Sequence, residues 1–375
     1  MTALFWISAA LVLYVYAGYP WLVAAWARLV DRQPRRAPFA PGCWPSISIV
    51  IAARNEAGRL AARIANLVAQ DYPGTREIIV VSDGSTDATG AALAPFGPAV
   101  RLIEVPAGGK PAALNAGVAS ATGDVLVFAD ARQRFAPGAL RALLENFSDP
   151  SVGGATGELI LDSEERPVSG SNVGEGLGLY WKYEKWMRRS ESRVWSTLGA
   201  TGAIYALRRA LWRPLPATTL LDDVLAPMRT VLAGYRVVFD DRARAYDRAS
   251  ADAASETRRK KRTLAGNYQI LAQEPRLLVP VVNPVWLQYL SHKVGRLIAP
   301  WALMALLLAS LVLANAGAVY VAALAAQLAF YGLAAAGAAL EARQRMSRVA
   351  FTFVVLNFSA IAGLMALRRG REVWR

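Results

Sequence analysis

No charged residue occurs between Met1 and Ala27, and none between Ile298 and Leu340. In a bilayer every backbone polar group must find a partner within the protein, so spans are helices or closed barrels, and long uncharged apolar runs like these read as helices. One span needs about 20 residues. The first run is long enough for one crossing and the second for two, with Asn315-Ala-Gly317 as the hairpin between them. A shorter apolar segment, Val349 to Leu367, reads as a third C-terminal membrane segment that either spans or re-enters. Whatever else the chain folds into lies between these runs.

Composition supports a membrane protein. The 375 residues are 54% hydrophobic and carry a net charge of +14, with a mean hydropathy of +0.27. Lys and Arg collect on the cytoplasmic side of membrane segments, and Arg28, Arg32, Arg35 and Arg36 follow the first run. A signal peptide carries its positive charge ahead of its apolar core. Here the charge comes after, so residues 1–30 read as an uncleaved anchor with its N-terminus outside. A nucleic-acid protein would have no need of the uncharged runs, so no nucleic-acid partner is expected. The single cysteine, Cys43, allows no intrachain disulfide, and the single histidine, His292, excludes a His-rich metal site. Chemistry is left to carboxylates, Lys, Arg, hydroxyls and backbone.

After a Pro/Gly-rich linker at 31–45, short apolar runs alternate with helical patterns. Ser46 to Ala52, Glu77 to Val81, Val100 to Val105 and the five apolar residues Val125 to Ala129 that end at Asp130 read as strands, and their alternation with helices implies parallel βαβ units. Ligands of such sheets sit beyond the carboxyl ends of the strands. Three ends are polar: Asn55 with Glu56, Asp83, and Asp130. Lys110 opens a helix after Gly108-Gly109, where free N–H groups and the helix dipole favour an anion. The phosphate loop of ATP-binding proteins is absent, because Pro111 follows the lysine, and the dinucleotide glycine fingerprint is absent after the first strand.

Further on, residues 152–247 look less regular. Gly174 to Arg193 reads as an amphipathic helix, packed on the sheet or lying near headgroups. Asp222-Asp223 precedes an apolar helical pattern and by itself fits an N-cap. Glu256 to Arg262 is strongly basic and suits anionic lipid or a phosphate clamp. Residues 263–297, with Trp286, Tyr289, Lys293 and Arg296, read as an amphipathic interfacial segment ahead of a transmembrane pair at 298–340.

Ser48 to Glu56, Val80 to Asp87, Gly109-Lys110 with Asn115, and Phe128-Ala-Asp130 together resemble the inverting family 2 glycosyltransferases. These include cellulose, chitin and hyaluronan synthases and bacterial exopolysaccharide transferases. The resemblance covers residues 46–262. It implies an α/β GT-A fold, Rossmann-like with a mostly parallel sheet, carrying N- and C-terminal transmembrane helices. It also implies a nucleotide-diphosphate sugar donor, commonly UDP-linked, and a saccharide or lipid-linked acceptor. Residue by residue, Asp83 would contact the uracil or ribose, and Ala53, Arg54, Asn55 and Glu56 would line the same nucleotide site. Lys110 would lie near the diphosphate. Asp130 would hold Mg²⁺ or Mn²⁺. Asp223 would be the catalytic base, with Asp222 raising its pKa or orienting the site. Thr201 and Gly202 would lie on the acceptor side.

The sequence departs from the family pattern in two places. Arg132 replaces the second carboxylate of the metal motif and would neutralise phosphate directly. Arg262 matches the arginine of the Gln-X-X-Arg-Trp motif, but Gln and Trp are missing, which leaves processive or single addition open. The expected enzyme is multi-pass in the plasma (inner) membrane, with its catalytic domain cytoplasmic. It would serve cell-surface polysaccharide or glycolipid synthesis among possible synthesis partners. Two alternatives remain: single-sugar transfer to a polyprenyl phosphate or similar lipid carrier, and a catalytically silent scaffold.

Overall fold

The computed structural model describes residues 1–161, 173–247, 253–339 and 345–368. The basic end at Arg369, Arg371 and Arg375 lies outside them. The first helix, α1, runs Thr2–Val30 and is long and apolar enough to cross a membrane. Three later helices meet the same standard: α8 (Trp286–Val312), α9, whose apolar span is Ala318–Gly337, and α10, whose span is Met346–Arg368. The expected interfacial segment, 263–297, therefore divides: its last part, from Trp286, is continuous with the first helix of the expected pair, while residues 263–273 end a separate helix. The sequence reading started the first helix of the pair at Ile298, because His292, Lys293 and Arg296 interrupt the apolar pattern before it. In α1 and α8 the α-helix gives way to π-helix at Tyr14–Gly18 and Tyr289–Val294.

Between these helices lies a mixed sheet of eight strands among the described residues, in the order β3-β2-β1-β4-β7-β6-β8-β5. The strands are β1 (Ile47–Ala53), β2 (Arg76–Asp83), β3 (Arg101–Val105), β4 (Val125–Phe128), β5 (Arg134–Phe135), β6 (Val152–Leu161), β7 (Tyr205–Arg208) and β8 (Arg236–Asp247). β1, β2, β3 and β4 pair in parallel. β7 then joins β4 antiparallel, with Tyr205 opposite Phe128. This is the GT-A arrangement, Rossmann-like on its parallel side.

The central strands are apolar on both sides because both faces are covered. Ile49, Val50 and Ile51 are fully buried on successive positions of β1. Each such side chain stabilises the fold by about 1.5–3 kcal/mol through burial alone. Ile49 and Ile51 pack under α2 (Ala57–Val68), through Leu60, Ile64 and Leu67. Val50 packs with Leu114 and Val118 of α3 (Lys110–Ala119). Gly117 of α3 faces Val50 and Val81 so closely that a Cβ there would be 2.6 Å from Val50. A short helix, α4, covers residues Ala139–Glu145.

The middle of the chain is more regular than its sequence suggests. β6 is a long strand whose Gly153, Gly154 and Gly157 leave room for its neighbours and erase the alternation that would mark it. The amphipathic helix α5 (Val173–Val194) packs on α1, with Met187 and Val194 against Tyr19, Val23 and Ala27. Two further helices complete the domain: α6 (Asp222–Leu232) and the basic α7 (Ala253–Gln273). Gly363 of α10 lies against the backbone of Lys261 and Ala265 in α7. α7 thus joins the catalytic domain to the membrane helices.

Candidate active site

Because β1, β2 and β4 run parallel and in register, their carboxyl ends reach one edge. Ala53 pairs with Ser82 and Val50 with Phe128. That places Arg54 to Glu56, Asp83 and Asp130 side by side, as the strand ends imply.

The first loop is pinned to the second. Asn55 holds a left-handed conformation at φ 55°, which Asn tolerates better than most residues. Its amide donates to Ser85 Oγ at 3.1 Å, and its side-chain oxygen accepts from the Thr86 amide at 2.8 Å. The Glu56 amide donates to Thr89 Oγ1 at 2.9 Å. Asp83 is buried and accepts from the amides of Gly108 at 2.7 Å and Gly109 at 3.0 Å. Its carboxylate thereby ties the end of β2 to the turn that launches α3, with Arg54 at 4.0 Å. Gly109, at φ 84°, takes a conformation that only glycine adopts at no cost.

Lys110, the first residue of α3, reaches across to the next strand end. Its Nζ donates to Asp130 Oδ1 at 2.9 Å and lies 3.2 Å from Asp222 Oδ2. Burial works against the ammonium, but Asp130, Asp222 and Asp223 outweigh it and hold the Lys110 pKa well above its ordinary value. Burial pushes the Asp222 carboxyl up, Lys110 opposes it, and Asp223 and Asp130 add to the rise.

Asp222 and Asp223 begin α6, where Leu221 is the N-cap and no side chain caps the helix. The capping role that the pattern allowed is not taken. The Asp223 carboxylate accepts instead from the amide of Gly202 at 3.1 Å. Its carbonyl accepts from the amide of Ala200 at 2.7 Å. That carbonyl is available because Pro227, four residues on, has no N–H to give it. The Gly199 to Gly202 segment is stitched to the start of α6 by both bonds. Thr201 is fixed on its other side, its amide donating to Thr156 Oγ1 at 3.0 Å. A Cβ on Gly202 would lie 3.3 Å from Asp223 Oδ2 and 3.7 Å from both Asp130 Oδ2 and Lys110 Nζ. The three functional groups therefore converge on the space beside this glycine.

A cavity of about 590 Å³ opens there, lined by Lys110, Asp130, Thr201, Gly202, Asp222 and Asp223. Arg132 and Arg262 line it as well, while Ala53 to Glu56 and Asp83 lie outside it on the same sheet edge. The Arg132 guanidinium is engaged by Asp247 at 3.0 Å, beside Gln133, which donates to the same carboxylate. Beneath the carboxylates, Tyr205 stacks on Phe128 with centroids 4.6 Å apart and keeps its hydroxyl buried without a hydrogen-bond partner. Neither Tyr205 nor Asp247 carries a local sequence signal, since both reach the site by strand pairing.

The class these elements define is the glycosyltransferases. The glycosyl transferase family 2 model matches residues 48–213, and the chain belongs to that family. It is 29% identical over 166 residues to a β-monoglucosyldiacylglycerol synthase of Synechocystis sp., a match covering 41% of this chain and 34% of that one. It is 31% identical over 122 residues to an N-acetylglucosaminyltransferase of Bradyrhizobium elkanii, covering 31% of this chain and 67% of that one. The match thus spans only about a third of the cyanobacterial relative. A mannosyltransferase of Pyrobaculum calidifontis, solved in complex with GDP-Man and Mn²⁺, shares the fold at a TM-score of 0.73 and 23% identity, over 98% of this chain and 100% of that one.

Proposed function

We propose that the chain transfers a sugar from a nucleotide-diphosphate donor, UDP-linked by preference, to an acceptor hydroxyl with inversion. The observation that carries this reading is the convergence of Asp223, Asp130 and Lys110 around Gly202. Asp223 takes the proton of the acceptor hydroxyl as that oxygen attacks the anomeric carbon. The bond to the nucleoside diphosphate breaks on the opposite face. A positioned base of this kind contributes about 10²- to 10⁴-fold. Lys110 faces the charge that gathers on the leaving diphosphate, and Asp222 holds Lys110 in place. The Ala53 to Glu56 loop and Asp83 form the nucleotide half of the site. Asp83 acts there largely by fixing the Gly108-Gly109 turn.

The residues fit a divalent ion shared with the donor. Among the described residues no three His, Cys, Asp or Glu side chains are grouped to hold one. Mg²⁺, however, is commonly bound by one or two carboxylates together with substrate phosphates. Asp130 supplies one such carboxylate. When bound, the ion would neutralise phosphate charge as a Lewis acid. The Mn²⁺ and GDP-Man of the Pyrobaculum structure support this reading.

For the membrane layout, we read the catalytic domain as cytoplasmic, where Arg28, Arg32, Arg35 and Arg36 emerge from α1. α10 lines the cavity with Val349 to Asn357 and meets α7 at Gly363. The product is a cell-surface polysaccharide or a glycolipid. The Synechocystis relative's name supports the lipid branch.

The test is nucleotide release by the detergent-purified protein from UDP-, GDP- and ADP-sugars, with Mg²⁺, Mn²⁺ or chelator. Release from one donor, abolished by chelator and by Asp130→Ala, is expected. Release that survives chelator would remove the ion from the reading. No release from any donor, even with membrane lipids added, would favour the silent scaffold.

A further inference from the structure

The cavity continues past the carboxylates and between the membrane helices. Its far wall is formed by Tyr16 of α1 and by Val349, Phe353 and Leu356 of α10. Charged residues inside membrane-spanning helices are costly. They face a protein interior or a cavity, where they mark the path of a polar substrate. α8 carries three basic residues within one turn, His292, Lys293 and Arg296, and all three line this cavity.

Two of the three have anionic partners. His292 Nδ1 is 2.7 Å from Glu191 Oε1, and Arg296 pairs with Glu184. Lys293 has neither a hydrogen bond nor an ion pair among the described residues. The same holds for Arg188 of α5, which lines the same cavity. Glu184 and Glu191 act on Lys293 from nearby, and Glu184 on Arg188, but Arg296 and His292 engage those carboxylates directly. Arg188 and Lys293 still repel each other, and in a low-dielectric setting an anion between them relieves both. The π-helical turns point to the same place. Tyr16 lies in one, and His292 and Lys293 in the other. Such turns inside α-helices are frequent at functional sites.

We propose that Arg188 and Lys293 seat the phosphate of a lipid-borne acceptor. Its tail would lie along Tyr16, Phe353 and Leu356, and its reacting hydroxyl would face Asp223. A phosphate suits this place because its charge of up to two matches the two cations. A lipid suits it because the wall beyond them is built from membrane helices. The proposal rests on the transferase reading above for which end of the cavity reacts.

The experiment measures equilibrium binding of radiolabelled farnesyl phosphate to the full-length protein in a neutral detergent, with UDP binding and nucleotide release measured separately. Saturable binding is expected. Arg188→Gln and Lys293→Gln should each weaken it by at least about tenfold, the loss of one charge-assisted contact. Lys293→Arg should restore it, and UDP affinity should stay unchanged in all three. Farnesol binding as tightly as its phosphate would overturn the proposal, and so would wild-type affinity in both Gln variants. Displacement by inorganic phosphate at equal concentration would make this a free-anion site, and displacement by phosphatidylglycerol a bulk-lipid site; either also overturns it. If the transferase reading fails instead, nucleotide release is absent from every donor while farnesyl phosphate still binds.

Discussion

The ammonium nitrogen of Lys110 stands 3.2 Å from the carboxylate of Asp222, so the first residue of one helix neutralises the first residue of another. That single cation serves three carboxylates. Without it they crowd one pocket, and like charges raise one another's pKa. In Lys110→Met the acid limb of the pH profile for nucleotide release should therefore move to higher pH, by about one unit or more. Donor affinity should fall in the same variant. A pH profile that stays in place would separate Lys110 from the carboxylates proposed to act in catalysis.

Asp223→Asn keeps the shape of the side chain and removes the carboxylate proposed as the base. Transfer should fall by about 10²- to 10⁴-fold, with nucleotide affinity nearly unchanged. Single-turnover transfer beside equilibrium UDP binding reads both. Full transfer in this variant would assign the base elsewhere.

Gly202→Ala introduces a methyl group 3.3 Å from Asp223 Oδ2, in the space that Asp130 and Lys110 also face. The fold should survive, since the methyl meets only side-chain ends there. Turnover should fall by about 10- to 100-fold through misplacement of the reacting groups. Thermal stability measured beside kcat distinguishes this from unfolding.

Glu77 links the amino-terminal ends of three strands, far from the chemistry. Burial alone would raise its pKa, but hydrogen bonds from Ser48, Thr122 and Arg101 outweigh burial and bring it down to about 2. A depressed carboxylate stabilises the fold above its unfolded value near 4.5, and that contribution is lost as pH falls through about 2. Glu77→Gln should cost about 2–3 kcal/mol at neutral pH, and the difference from wild type should close on acidification. Thermal unfolding from pH 7 down to pH 2 checks it.

The parallel half of the sheet was legible because its strands are short apolar runs that end in polar residues, as Asp83 and Asp130 do. The family resemblance supplied the roles, since no spacing distinguishes a catalytic Asp223 from a helix cap. Strand β6 was hidden by its glycines, and the start of α8 by its charges. The partner of Arg132 could not be read at all. Asp247 comes to it from the far end of β8, and no local pattern encodes a pairing across that distance.

Pro227 breaks the hydrogen-bond ladder of α6, and the gap is filled from outside by Ala200. A complete helix would have had no carbonyl to offer. Pro227→Ala should stabilise the isolated helix by up to about 3 kcal/mol, yet it supplies a competitor for the one acceptor that holds the loop beside the base. Heat resistance and turnover should then move in opposite directions, with faster hydrogen exchange at the Ala200 amide as the local sign. In that sense the proline is a deliberate defect: robustness is given up at one helix so that two distant stretches of chain keep a common geometry.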